Sequence, residues 1–157
     1  MSQETLPQRA DFPELRTIST RWGDEDVYGH VNNTVYYSYF DTAVNGFLIE
    51  ASGADIRRLH AIGLVVETGC RYAGPLAYPQ PVEVGLAVEH VGGSSVRYRL
   101  GVFAAGMAEA AAEGHFTHVY VDRAGRRPVV LPALWRQAFD AIRSAPFGSA
   151  GEGQPHR

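Results

Sequence analysis

The densest chemistry in the chain lies between residues 24 and 33, where Asp24, Glu25, Asp26, His30, Asn32 and Asn33 surround a single glycine, Gly29. Carboxylates at this spacing offer a nucleophile or a base for activating water. The amides stand immediately before an apolar stripe made by Val35, Tyr36, Tyr39, Phe40, Ala43, Val44, Phe47 and Leu48, whose recurrence predicts a long helix. Asn32 and Asn33 occupy the N-cap position of that helix. A helix start carries unpaired N–H groups and partial positive charge, so it suits an anion or a developing oxyanion. Acidic and amide groups are thereby delivered to the positive end of a buried helix.

Other chemistries fit less well. Asp24, Asp26 and Gly29 match the opening of a calcium loop, but its twelfth position is Val35 where a bidentate Glu is required. His115 and His118 are three apart in a predicted strand and so point to opposite faces, and His30 has no second ligand at metal spacing. No metal or cofactor is expected. Nothing in the pattern around Cys70 marks it as a nucleophile, and it reads as a buried structural thiol. There is no Gly-x-Ser-x-Gly elbow. All fourteen basic residues are arginine, which excludes lysine Schiff-base chemistry.

The elements that position the acidic stretch follow from the pattern around it. Residues 1–13 are polar with two prolines and are expected to form a mobile tail. A short strand is predicted at Leu15–Arg21, the long helix after Asn33, and a helical turn within Gly53–His60. Strands are predicted at Leu64–Tyr72, at Val82–Val91, from Val96 to Val102, and in a run ending at Asp122. The prolines of residues 74–81 mark a loop, and Gly92-Gly93-Ser94 marks a hairpin turn. Pro132 opens a last helix, and residues 144–157, rich in Gly, Pro and Ser, are expected to be disordered. One α+β domain over residues 14–143 results, with an antiparallel sheet of about five strands curving around the central helix.

Composition narrows the partners. A net charge of −3 gives no reason to expect nucleic acid, and no stretch is long and apolar enough to cross a membrane, so cytoplasmic residence is the expectation.

The run from Arg21 to Asn33, RWGDEDVYGHVNN, followed by Tyr36 and Phe40, resembles the signature of hotdog-fold acyl-CoA thioesterases, in particular the 4-hydroxybenzoyl-CoA thioesterase-like branch. The resemblance extends from about Leu15 to Ile142, with counterparts for Arg71-Tyr72, the strand at Val82 and Arg126-Arg127-Pro128. It implies hydrolysis of an acyl-CoA thioester without a cofactor. Asp26 would be the catalytic carboxylate, as nucleophile or general base, and the Asn33 backbone N–H would polarise the thioester carbonyl. His30 and Asn32 would help position water, as the same ending does in plant acyl-carrier-protein thioesterases, while Asp24 would be structural. The resemblance also implies a homodimer or homotetramer whose site is completed by a partner residue such as Glu67 or Thr68. The Tyr and Phe side of the helix would bound the acyl pocket, and Arg71 or Arg97 would meet CoA phosphates. A hydratase or dehydratase on the same fold and a non-catalytic acyl-CoA sensor are the competing readings. The first is disfavoured because His30-Val31-Asn32 has an amide where a His-x-Asp pair would be needed.

Overall fold

A computed structural model describes residues 5–144. The described residues form five strands and two α-helices: β1 (Glu14–Ile18), α1 (Val35–Ser52), β2 (Ala61–Tyr72), β3 (Val82–Val91), β4 (Ser95–Ala104), β5 (Ala112–Asp122) and α2 (Ala133–Ala141). The sheet is antiparallel in the order β1-β3-β4-β5-β2. Strands β3, β4 and β5 form a meander, while β1 and β2, which flank α1 in the chain, end up on opposite edges of the sheet. The helix must therefore cross the whole sheet between them. This is the hotdog arrangement expected from the resemblance.

Helix α1 is buried along the predicted stripe: Tyr36, Tyr39, Phe40, Ala43, Val44, Phe47 and Leu48 all enter the core. They meet Val82, Val84, Leu86 and Val88 of β3 and the inward side chains of β4 and β5. The approach is close at Gly114, where a Cβ would lie 2.4 Å from Phe40 Cζ and 2.8 Å from the Gly69 carbonyl oxygen. The helix ends at Gly53, whose left-handed backbone (φ 61°) lets its N–H donate to the Ile49 carbonyl at 2.9 Å. On β5 the alternation is clean, and it places His118 inward and His115 on the other face, as their spacing predicts.

The other face of the sheet differs from expectation. The alternation of β3 predicts one solvated face, yet the strand is buried from Val82 to Val88 on both sides. The cover comes from the segment expected to be a mobile tail. Residues 5–13 dock there: Arg9 N–H donates to the Ala108 carbonyl at 2.7 Å, Ala110 N–H donates to the Pro7 carbonyl at 3.1 Å, and Arg9 pairs with the buried Glu83 carboxylate. Phe12 is the anchor. It lies over Gly85 and Gly101, where a Cβ would approach its ring to 2.5 and 2.7 Å, and stacks edge-on against Phe103. The two glycines therefore form its slot. Composition signals a tail because the segment is polar; the slot is invisible until two strands are paired. At the other end, Ser144 N–H donates to Val88 O at 3.1 Å, and the rest of the predicted C-terminal tail lies outside the described residues.

Phe12→Ala should remove an anchor buried to within 6% of its surface and cost about 3 kcal/mol of stability, measured by denaturant unfolding. An unchanged midpoint would mean that the docked segment contributes nothing.

Candidate active site

The acidic stretch folds around Asp24, the last residue of a single 3-10 turn at Trp22–Asp24. Its carboxylate is 1% exposed. It accepts the Arg21 backbone N–H at 2.9 Å, the Arg21 guanidinium at 2.9 Å and the Tyr39 hydroxyl at 2.9 Å, the last reaching down from α1. Burial opposes its ionisation, but the hydrogen bonds and the guanidinium outweigh that penalty and hold Asp24 below the usual carboxylate range. Burial, with the Asp24 hydrogen bond added, pushes the Tyr39 phenol up. The Asp24 carbonyl accepts the Asn32 N–H at 2.8 Å, so one residue ties the start of the loop to its end. Asp24 is occupied on every side and shapes the site rather than serving it.

Between those ties the chain makes a tight reversal. Asp26 N–H donates to His30 O at 2.9 Å, Glu25 and Val31 form an antiparallel bridge, and Gly29 takes the left-handed conformation at φ 80°. Asp26 Oδ1 accepts the Tyr28 N–H at 2.8 Å, an Asx turn that fixes the carboxylate at the head of the reversal. Glu25 turns the other way and accepts the Tyr78 N–H at 2.9 Å, locking the loop to the proline-rich segment. The three acidic residues thus separate: Asp24 buried, Glu25 structural, Asp26 half-exposed with one oxygen uncommitted among the described residues.

The helix entry is held by Asn32. Its Oδ1 accepts the Thr34 N–H at 2.9 Å and the Thr34 hydroxyl at 2.7 Å, while its carbonyl accepts the Val35 N–H. Asn32 thus makes an Asx turn before the helix rather than the N-cap expected of Asn32 or Asn33, because the regular helix begins only at Val35 and its N-cap is Thr34, which makes no side-chain cap hydrogen bond. The Asn33 carbonyl accepts the Tyr72 hydroxyl at 2.7 Å, which fastens the helix entry to the end of β2. The Asn33 N–H makes no hydrogen bond among the described residues and remains an available donor at the helix start. His30 is exposed, and its imidazole has no hydrogen bond there.

Several expected contributors are placed elsewhere. Tyr36, Tyr39 and Phe40 are core residues, 0–3% exposed, so this face of α1 packs against its own sheet instead of bounding an open pocket. The apolar groups beside Asp26 are Trp22, Val27 and Tyr28, each at least 80% exposed. With Glu25, Asp26 and Gly29, Trp22 and Val27 line an open cleft of about 550 Å³. The sequence signal for them was present in the motif itself, but a loop aromatic does not announce its exposure. Arg71 pairs with Glu113 at 3.1 Å, and Arg97 with Glu89 at 3.1 Å and Glu67 at 3.5 Å. Cys70 is a free, half-buried thiol whose pKa burial pushes up, which argues against a thiolate nucleophile. Burial likewise pushes His118 down to about 4, leaving it neutral in the core.

The profile of the thioesterase-like superfamily matches residues 20–141, a span that contains the whole loop, the helix and the sheet. The chain belongs to that family. Among solved structures, the PA5185 protein of Pseudomonas aeruginosa is similar at 49% identity, with a TM-score of 0.87, over 90% of this chain and 99% of its own. The PA2801 protein of the same organism is similar at 30% identity and a TM-score of 0.75, over 81% and 98%. A 1,4-dihydroxy-2-naphthoyl-CoA thioesterase from Synechocystis shares the fold at 15% identity and a TM-score of 0.73, over 80% and 94%. Comparison with curated protein sequences found no match.

Asp24→Asn should cost about 1–3 kcal/mol, because a buried hydrogen-bonded carboxylate loses its charge among donors arranged for it. Its folded pKa lies below its unfolded one, so its contribution is present above the unfolded carboxylate value and fades as pH falls through the folded value. Acid titration of stability should be shallower in the variant, and parallel curves would contradict the role.

Proposed function

We propose that the protein hydrolyses an acyl-CoA thioester to the free acid and CoA. The observation that carries this reading is that one loop leading into α1 leaves both an Asp26 carboxylate oxygen and the Asn33 N–H without hydrogen-bond partners among the described residues. The thioester oxygen would accept the Asn33 N–H, and its developing negative charge would be stabilised by that donor and by the helix start. A preorganised donor of this kind contributes about 3 kcal/mol to the transition state. Asp26 would reach the carbonyl from the opposite face, either taking a proton from the attacking water or attacking itself to give an anhydride that water then opens; in both routes the C–S bond breaks and CoA leaves as the thiolate. Asn32 holds the Thr34 end of the helix entry, and His30, exposed on the same loop, would help it position the attacking water. Trp22, Val27 and Tyr28 offer the apolar surface for the acyl group or its thioester neighbour.

A homodimer is part of the proposal. Strand β2 is a twelve-residue edge whose outer backbone groups face no neighbour among the described residues, and Leu64, Val65 and Val66 on it are 36–59% exposed. Long apolar edges invite pairing with another strand, and a two-fold axis through β2 would join two sheets into one. Glu67 and Thr68 lie on this edge. Thr68 already donates to the His115 carbonyl at 2.9 Å, and Glu67 approaches His115 at 3.0 Å. The absence of a carboxylate two residues after His30 weighs against a hydratase, and an Asp26 oxygen left without a partner among the described residues weighs against a mere sensor.

Asp26→Asn should lower thiol release from acyl-CoA esters by at least ~100-fold with an unchanged melting curve. Full turnover in the variant would remove Asp26 from the chemistry. Val66→Glu should shift the sedimentation coefficient from dimer to monomer, since it sets two charges against each other across the paired edge; a dimer that persists would place the interface elsewhere.

A further inference from the structure

Six buried side-chain polar atoms have no hydrogen-bond partner among the described residues, and three of them gather in one place. They are His118 Nδ1, the Tyr120 hydroxyl and Trp135 Nε1, on residues only 1–4% exposed. Two elements bring them together. His118 and Tyr120 alternate onto the inner face of β5, and α2 lays Trp135 against Tyr120 with ring centroids 4.9 Å apart. Tyr98 is a neighbour, but its hydroxyl does not come within hydrogen-bond distance of that of Tyr120. A buried polar group loses its water on folding, and one left unpaired has nothing to set against that cost. Three together call for a shared partner. The space for one is present, because all three residues line a cavity of about 260 Å³ walled also by Leu48, Ile56 and Ile62. Gly63 keeps it open. It stands opposite Tyr120 in the β2–β5 ladder, and a Cβ on it would lie 3.3 Å from both His118 Nδ1 and Tyr120 Cε1. The His118 nitrogen therefore faces the gap that a missing side chain leaves on β2. Gly63 is itself exposed, which puts the mouth of the cavity at the edge strand.

The lining decides what fits. Water would satisfy the three polar groups but would also wet the apolar walls, whereas apolar walls with a few convergent polar groups suit a small organic molecule. An apolar hole of about 150 Å³ admits benzene, so this one has room for a ring and a polar substituent. Burial pushes His118 down to about 4, so the inner wall offers hydrogen bonds and no charge. Trp135 can only donate, Tyr120 can donate or accept, and the neutral imidazole nitrogen does one or the other. A phenolic hydroxyl answers all of these, because it donates and accepts at once. A carboxylate would have to carry its charge into a dry site.

We propose that this cavity binds a phenol-sized, uncharged aromatic ring whose hydroxyl pairs with the polar atoms of His118, Tyr120 and Trp135. Within one subunit the site is separate from the Asp26 cleft. Gly63 precedes Tyr72, which holds the helix entry, by nine residues, about 30 Å at the usual strand rise. The ring can arrive as a free molecule or as part of an acyl group. The second source rests on the acyl-CoA reading and the β2-paired dimer above; the first does not.

The test titrates the full chain with p-cresol and follows the indole N–H signals by NMR. The chain has two tryptophans, Trp22 beside Asp26 and Trp135 in the cavity, so the signals report the two places separately. The Trp135 signal should move downfield saturably while that of Trp22 stays in place. Toluene, which is p-cresol without its hydroxyl, should bind about ten-fold more weakly, the loss expected of one hydrogen bond. Gly63→Leu fills the gap and should abolish the shift. Tyr120→Phe removes an unpaired hydroxyl, so it should weaken binding without lowering the melting temperature. No shift of Trp135, a shift confined to Trp22, or equal affinity for toluene and p-cresol would overturn the proposal, whether or not Gly63→Leu folds. Kinetics distinguish the sources. Competitive inhibition by p-cresol of thiol release from a hydroxyphenyl-bearing acyl-CoA places the substrate's own ring in the cavity, and binding without inhibition assigns the cavity to a free molecule. Should no ester be cleaved by wild type, the hydrolase reading fails while the indole titration still decides the cavity.

Discussion

The loop geometry depends on one buried carboxylate, that of Asp24, which pairs with the exposed Arg21 guanidinium and is reinforced from below by the Tyr39 hydroxyl. A carboxylate out of water is costly unless each oxygen is satisfied, and here both are. Because the donors come from the strand-to-loop junction and from α1, satisfying Asp24 fixes the loop relative to the helix. The Asn32 N–H closes the same knot on the Asp24 carbonyl. Asp26 is then held two residues away without being drawn into the core. A neighbour that is wholly occupied leaves its companion free to react.

The sheet serves this arrangement from both faces. On the concave side, the stripe of α1 fills the curve and forces glycine at 114, where helix and strand come closest. On the other side, Phe12 and the Arg9–Glu83 pair cover β3 and β4, so these central strands are buried on both faces in an antiparallel sheet. That leaves the two edges. Strand β1 is short and flanked by the docked N-terminal segment, whereas β2 is long, apolar and open. The imbalance between edges gives the molecule a direction for assembly.

The Tyr72–Asn33 hydrogen bond gives that direction a functional sense. It fastens the helix entry to the outer edge strand rather than to the central ones.

Sequence alone determined a good deal. The stripe from Val35 to Leu48, the proline loop, the alternating β3 and β4 and the loop signature specify the helix, the meander and the family, because periodicity and turn chemistry are local properties. The opposed faces of His115 and His118 follow from spacing alone, whereas the N-cap expected at Asn32 or Asn33 falls on Thr34. What spacing could not reach depended on chain segments meeting across the fold. Three carboxylates in a row look alike until Arg21 and Tyr39 select Asp24 for burial and Tyr78 engages Glu25. A polar N-terminus looks mobile until Gly85 and Gly101, on different strands, align into a slot for Phe12. Aromatic residues on a helix look available to a substrate until the sheet wraps them. In each case the deciding contact joins residues far apart in the chain, and its free energy exists only once the sheet has closed around the helix.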